Sequence, residues 1–213
     1  MTQPRPIDET TLEQAVAWLC ARDADLAEVV GRHGPPPLWR REPGFETLVR
    51  IILEQQVSLA SGLAAYDRLE LAAASVTPAV LAGMDPAILE RAGVTRQKSR
   101  YLRGLAATII AGDLDLEGLA GLDDHDARSS LSRVPGIGPW TADVYLLMAL
   151  GRPDVWPATD IALVTSIRDV KGLAGRPGPG EMERLAEPWR PWRAVVARIL
   201  WHAYLEARAT AVR

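Results

Sequence analysis

The sequence holds a single cysteine, Cys20, and only two lysines, Lys98 and Lys171, against 22 arginines. One thiol excludes an intrachain disulfide, a four-cysteine zinc site and a four-cysteine iron–sulfur cluster. No apolar run approaches the roughly 20 residues that a membrane span needs, so no membrane partner is expected. The opening residues Met1-Thr2-Gln3-Pro4-Arg5-Pro6 lack the basic-then-apolar pattern of a signal peptide, and the expected compartment is the cytoplasm. Stretches that alternate apolar and polar residues through β-branched side chains are nearly absent, which argues against strands. No repeat of 20–50 residues is visible. His-Glu-x-x-His, Gly-x-x-x-x-Gly-Lys and Gly-x-Ser-x-Gly are all missing, and His33, His125 and His202 are scattered.

What is present is ordinary globular composition, 48% hydrophobic and 24% charged over 213 residues. That length suits one large domain or two small lobes. The net charge of −3 conceals an uneven distribution. Arg91, Arg96, Lys98, Arg100 and Arg103 follow one another with no acid between Arg91 and Gly112, and the last 30 residues are again arginine-rich. Such strips are either solvated helix faces or surfaces for a polyanion.

Helical spacing of apolar residues recurs from end to end: Leu12, Val16 and Leu19; Phe45, Leu48, Val49 and Ile52; Leu59, Leu63, Tyr66 and Leu69. Ser58, Thr77, Asp85 and Thr95 read as N-caps, with Pro78 and Pro86 at first helical positions. The chain is therefore expected to be all-α, with ten or more short helices. Gly34-Pro35-Pro36-Pro37 and the stretch from Gly172 to Gly180 are rich in breakers and suggest lobe boundaries. The expected division is one central lobe over 45–150 and a second, over 1–44 plus 151–213, built from the two chain ends.

Leu131-Ser-Arg-Val-Pro-Gly-Ile-Gly-Pro-Trp-Thr-Ala142 carries the clearest chemistry. One helix ends, Gly136 and Gly138 permit a tight turn, and Pro139 starts the next helix. Backbone N–H groups at such a helix start favour an anion, and a nucleic-acid phosphate fits. A contact of this kind positions a strand without reading its sequence. Next comes Val155-Trp-Pro-Ala-Thr-Asp160, where Asp160 opens another helix after a proline-containing turn. Asp at such a place is commonly a cap, and the first helical turn also keeps a carboxylate ionised.

These two motifs resemble the helix-hairpin-helix and the catalytic aspartate of the HhH-GPD superfamily of base-excision DNA glycosylases. The hairpin wording Pro-Gly-Ile-Gly-x-Trp-Thr-Ala is most similar to the AlkA-type 3-methyladenine DNA glycosylase II family, with likeness over roughly 45–205. The resemblance implies a two-lobed helical fold, double-stranded DNA with a damaged base as partner, a monomer, and hydrolysis of the N-glycosidic bond of alkylated purines after base flipping. Asp160 would be catalytic. Trp140 and Trp201 would line the base pocket, with Val144 and Tyr145 near it. Gly136, Ile137, Gly138 and Thr141 would meet DNA, as would Gln56 and Ser58 of the loop Gln55-Gln56-Val57-Ser58. Gln56 takes the place of the wedge that fills the gap left by the flipped base; otherwise it is an exposed loop glutamine. Carbonyls of Ser132, Val134 and Ile137 would hold a sodium or potassium ion, and no other cofactor is expected. Family members that also cut the strand carry a lysine where this chain has Trp140, so a monofunctional enzyme is expected. Many bacterial members begin with a β-rich domain, and no such segment is expected here. A non-catalytic helix-hairpin-helix module that recognises bent or damaged DNA is the alternative.

Overall fold

Side-chain caps decide where most of the helices begin. The carboxylates of Asp8, Asp23, Asp85 and Asp123 and the hydroxyls of Ser58, Thr77 and Thr95 each accept a hydrogen bond from an N–H of the turn that follows. In chain order the helices are α1 (Glu9–Cys20), α2 (Ala24–His33), α3 (Phe45–Glu54), α4 (Leu59–Ala73), α5 (Pro78–Gly83), α6 (Pro86–Arg91), α7 (Arg96–Ile110), α8 (Asp124–Ser132), α9 (Pro139–Met148), α10 (Ile161–Val170), α11 (Pro179–Ala186) and α12 (Arg193–Ala211). Short 3-10 turns lie at Gly118–Gly121 and Glu187–Trp189. The computed structural model describes residues 5–211, with side chains to residue 208, and among these no strand occurs. The segment 1–4, part of the stretch read for a signal peptide, lies outside the described residues. No described helix is long and apolar enough to cross a membrane.

The chain divides into two units: Arg41–Leu150, and the chain ends, up to Arg40 and from Gly151 onwards. The glycine- and proline-rich stretch 172–180 falls inside the second unit. It joins α10 to α11, where Pro179 opens the helix, so its breakers mark a turn rather than a lobe boundary.

Each unit is organised around one helix with a stretch buried around its whole circumference. In the first, every residue of α9 from Thr141 to Leu147 is buried. A helix apolar around its whole circumference belongs at the centre of a core. α3 packs on α9, burying Leu48, Val49, Ile51, Ile52 and Leu53, and α4 and α7 pack on α3. Each of these aliphatic side chains contributes roughly 1.5–3 kcal/mol by leaving water. In the second unit α12 is central, with residues 194–200 all buried, and α2, α10 and α1 lie against it. The most deeply buried charged residue of this helix, Arg198, donates to the carbonyls of Leu38 (2.9 Å) and Ala194 (3.0 Å). Desolvation draws that guanidinium down to about 10, which leaves it charged at neutral pH. Here the two chain ends are stitched together: the Ile7 N–H donates to the Gly151 carbonyl at 2.9 Å.

Candidate functional site

In the first unit, α8 and α9 form a helix-hairpin-helix. Arg128 on α8 donates to Asp143 on α9 at 2.6 Å, a partly buried ion pair that fixes the two helices. Between them Gly136 adopts φ +95°, and a Cβ there would run into the Tyr101 ring of α7. Both the left-handed backbone and the lack of space demand glycine. Gly138 differs from the expectation. It is extended (φ −86°), and a Cβ would meet nothing. It is the N-cap of α9 and supplies no side-chain cap, and Pro139 follows at the first position. Ile137 keeps its side chain buried and gives its N–H to the Val134 carbonyl at 3.0 Å, closing the turn. Only main-chain oxygens, at Ser132, Val134 and Ile137, are nominated for an ion, and a carbonyl that accepts one hydrogen bond retains a second lone pair. Neutral oxygens without carboxylates match a monovalent cation better than calcium or magnesium.

A second loop is tied to the hairpin. Gln55 is the C-cap of α3, and Gln56 follows at φ +57° with its side chain exposed. A left-handed backbone at a non-glycine residue costs roughly 1–2 kcal/mol. The Gln55 amide donates to the Gly136 carbonyl (2.9 Å) and the Thr141 hydroxyl (2.8 Å). Lys98 Nζ donates to the carbonyls of Leu53 (2.7 Å) and Gln55 (2.8 Å). Gln55, Lys98 and Tyr101 are thus site-shaping residues that reading the sequence for motifs passed over. Ser58 serves chiefly as the cap of α4: its Oγ accepts from the Ser61 N–H at 3.1 Å.

In the second unit, the turn before α10 is braced on both flanks. Arg193 holds the Asp154 carboxylate at 2.9 and 3.0 Å, and Trp156 meets Trp189 edge-on at 5.8 Å. The turn closes with the Asp160 N–H donating to the Pro157 carbonyl at 2.9 Å. Asp160 caps α10 as expected, its Oδ1 accepting from the Leu163 N–H at 2.9 Å. The same oxygen accepts from the Trp201 indole N–H at 3.0 Å. Two N–H groups therefore fix the position, at the start of α10, of a carboxylate that is only 8% exposed.

Several nominated side chains are placed differently from the expectation. Tyr145 is wholly buried and its hydroxyl accepts from the Gly44 N–H at 2.9 Å, so it presents no face to a base. Val144 and Thr141 are buried at 3% and 1%. The reason is shared: α9 is the core helix of its unit, so a position one turn past the hairpin points into protein. Trp140, at the mouth of that helix, is half-buried. Trp201 is 9% exposed, and its N–H addresses Asp160. A hollow of about 780 Å³ between α3 and α4 includes none of the residues expected at the site, and four of its five charged side chains pair with each other, Arg41 with Glu54 and Arg50 with Glu46.

Residues 49–191 match the HhH-GPD family, described as superfamily base excision DNA repair proteins. A probable bifunctional transcriptional activator/DNA repair enzyme AlkA of Mycobacterium tuberculosis is 32% identical over 92% of this chain and 41% of its own length. A DNA-3-methyladenine glycosylase of Bacillus subtilis is 31% identical over 57% of this chain and 40% of its own length. The chain thus matches about two fifths of the length of these two curated relatives. A solved structure of 3-methyladenine DNA glycosylase from Schizosaccharomyces pombe, in complex with abasic DNA, superimposes with a TM-score of 0.80 at 26% identity, covering 88% of this chain and 95% of that one.

Proposed function

Because the chain belongs to the HhH-GPD superfamily of base excision DNA repair proteins, we propose that it is a monofunctional DNA glycosylase. The substrate is an alkylated purine of the 3-methyladenine or 7-methylguanine type in double-stranded DNA, extruded from the helix before reaction. The relatives named for 3-methyladenine support this substrate class. The protein acts as a monomer.

The observation that carries the reading is Asp160. As the bond from C1′ of the sugar to the base nitrogen breaks, the electron pair leaves with the base and positive charge builds on the sugar. A fixed carboxylate stabilises that charge. Water then bonds to C1′, and its proton passes to the carboxylate or to solvent. A methylated purine is cationic and leaves as a neutral base, so no strong general acid is required. The Leu163 and Trp201 N–H groups hold the carboxylate in place. Trp140 offers its indole to the extruded base, and electron-poor rings suit such a face.

Strand cleavage through a Schiff base needs a free amine. Lys98 is bound to two carbonyls, and Lys171 to Asp23 and Asp25 at 2.8 Å each. Their engagement supports base release alone. At the hairpin, the bare Gly138 start of α9 receives a backbone phosphate, Gln56 enters the duplex as wedge, and an alkali ion on the carbonyls of Ser132, Val134 and Ile137 would add positive charge there.

Asp160→Asn is the test. Asparagine is as good an N-cap as aspartate and still accepts both N–H bonds, so folding should be kept. Base release should fall by about 10³-fold or more, with duplex affinity little changed. Undiminished release by this variant would remove Asp160 from the chemistry.

A further inference from the structure

Lys98 stands at an unfavourable place for a cation. It is the third residue of α7, at the positive end of that helix's dipole, and burial draws its amine below the usual lysine range. Its partners explain its position. The carbonyls of Leu53 and Gln55 lie at the end of α3, where N–H groups of the helix have run out and partial negative charge collects. A glycine just past the helix would finish α3 without a buried charge. Here the chain instead turns left-handed at Gln56, a residue with a side chain to present. From the same turn, the Gln55 amide reaches the Gly136 carbonyl and Thr141.

We infer that Lys98 and Gln55 are positioning residues that lock the Gln56 turn to the glycine hairpin, so that the group entering the duplex and the backbone gripping the strand act as one body. This rests on the glycosylase reading. Without the lock, Gln56 relaxes from its left-handed conformation and no longer stands where the hairpin's grip requires it. Strand binding persists, and extrusion fails.

The test uses the full chain and the variants Lys98→Met, Lys98→Arg and Gln55→Leu. Wedge insertion is read by 2-aminopurine fluorescence beside a tetrahydrofuran abasic analogue, a probe that requires no excision. Excision is read under single turnover, at saturating enzyme, on duplex treated with dimethyl sulfate. Lys98→Met and Gln55→Leu should lose about a hundredfold in excision rate, the size of a displacement near 1 Å, and most of the fluorescence rise. Duplex affinity should stay within about threefold, because phosphate contacts set it. Lys98→Arg, which can still donate to two carbonyls, should recover most of both signals. If a folded Lys98→Met keeps excision and fluorescence within twofold of the parent, the lock is wrong. It is equally wrong if both signals fall only in proportion to lost affinity or lost folded fraction. Should Lys98→Met not fold, Gln55→Leu decides by the same readouts. Absence of base release from the parent chain would instead count against the glycosylase reading, while the fluorescence would still judge the lock.

Discussion

Two helices of this protein begin on opposite terms. α10 begins on Asp160, whose carboxylate accepts from the helix's own Leu163 N–H and is fixed further by Trp201. α9 begins on Gly138, which supplies no side chain at all. The backbone of Gly138 is extended and its surroundings would admit a Cβ, so nothing within the chain forbids a cap there. The difference separates a helix start that the protein closes with its own anion from one that, under the proposed function, takes its anion from DNA. Glycine is a worse N-cap than aspartate by only about 0.3 kcal/mol, and α3 and α11 also begin on glycines without a side-chain cap, Gly44 and Gly178; under the proposed function the bare start of α9 is the one that a phosphate meets.

Exchanging features between the two starts gives the sharpest tests. The largest effect belongs to Gly136→Ala, which forces a left-handed alanine onto the Tyr101 ring. It should destabilise the protein by about 3 kcal/mol, seen as a lower urea midpoint with unchanged slope. A loss under 0.5 kcal/mol would mean that the hairpin is looser than described. Next is Gly138→Asp, which makes α9 begin as α10 does. Stability should rise by only about 0.3 kcal/mol, while DNA affinity at fixed salt falls more than about tenfold. Equal affinity would break the comparison, because the start of α9 would then not meet phosphate.

Trp201→Phe keeps an aromatic ring and removes the N–H that fixes Asp160. The maximal rate of base release should drop about tenfold with KM little altered, as one charge-assisted hydrogen bond would suggest. A change in KM alone would make Trp201 a wall of the pocket and nothing more. The smallest effect is expected at Asp23, a cap aspartate of α2 outside the chemistry. Burial raises its pKa, but hydrogen bonds from Lys171, Trp189 and the Leu26 amide outweigh it and hold the carboxyl below its ordinary value. A depressed folded pKa means stability present above the unfolded value near 3.9 and lost as pH falls through the folded one. Asp23→Asn should therefore cost about 1 kcal/mol at pH 7, flatten the acid limb of stability, and leave base release unchanged. An unaltered acid limb would show that the network contributes nothing.

Much of this was legible in the sequence, and the parts that were not share a cause. Ser58, Thr77, Asp85, Thr95 and Asp160 announce helix starts because capping is local, a matter of three residues. The hairpin is legible because Gly136 and Pro139 are constrained by backbone geometry alone. The place of Tyr145 is not legible because α9 is buried on every side, and periodicity names no inner face in such a helix. Gln55 and Lys98 stayed hidden because their partners lie 81 and 45 residues away, at Gly136 and Leu53, and no short pattern encodes such a pair. Gly136 and Gly138 look alike in the sequence, and only their torsions and neighbours reveal that one glycine is required by the fold and the other is not.

The central claim is tested most directly by incubating the full chain with duplex DNA treated with dimethyl sulfate and separating the released bases by chromatography. Free 3-methyladenine or 7-methylguanine is expected, with strands broken only when the abasic product is afterwards treated with alkali. Tight binding of the same duplex with no free base would contradict it and leave a DNA-binding hairpin without an enzyme.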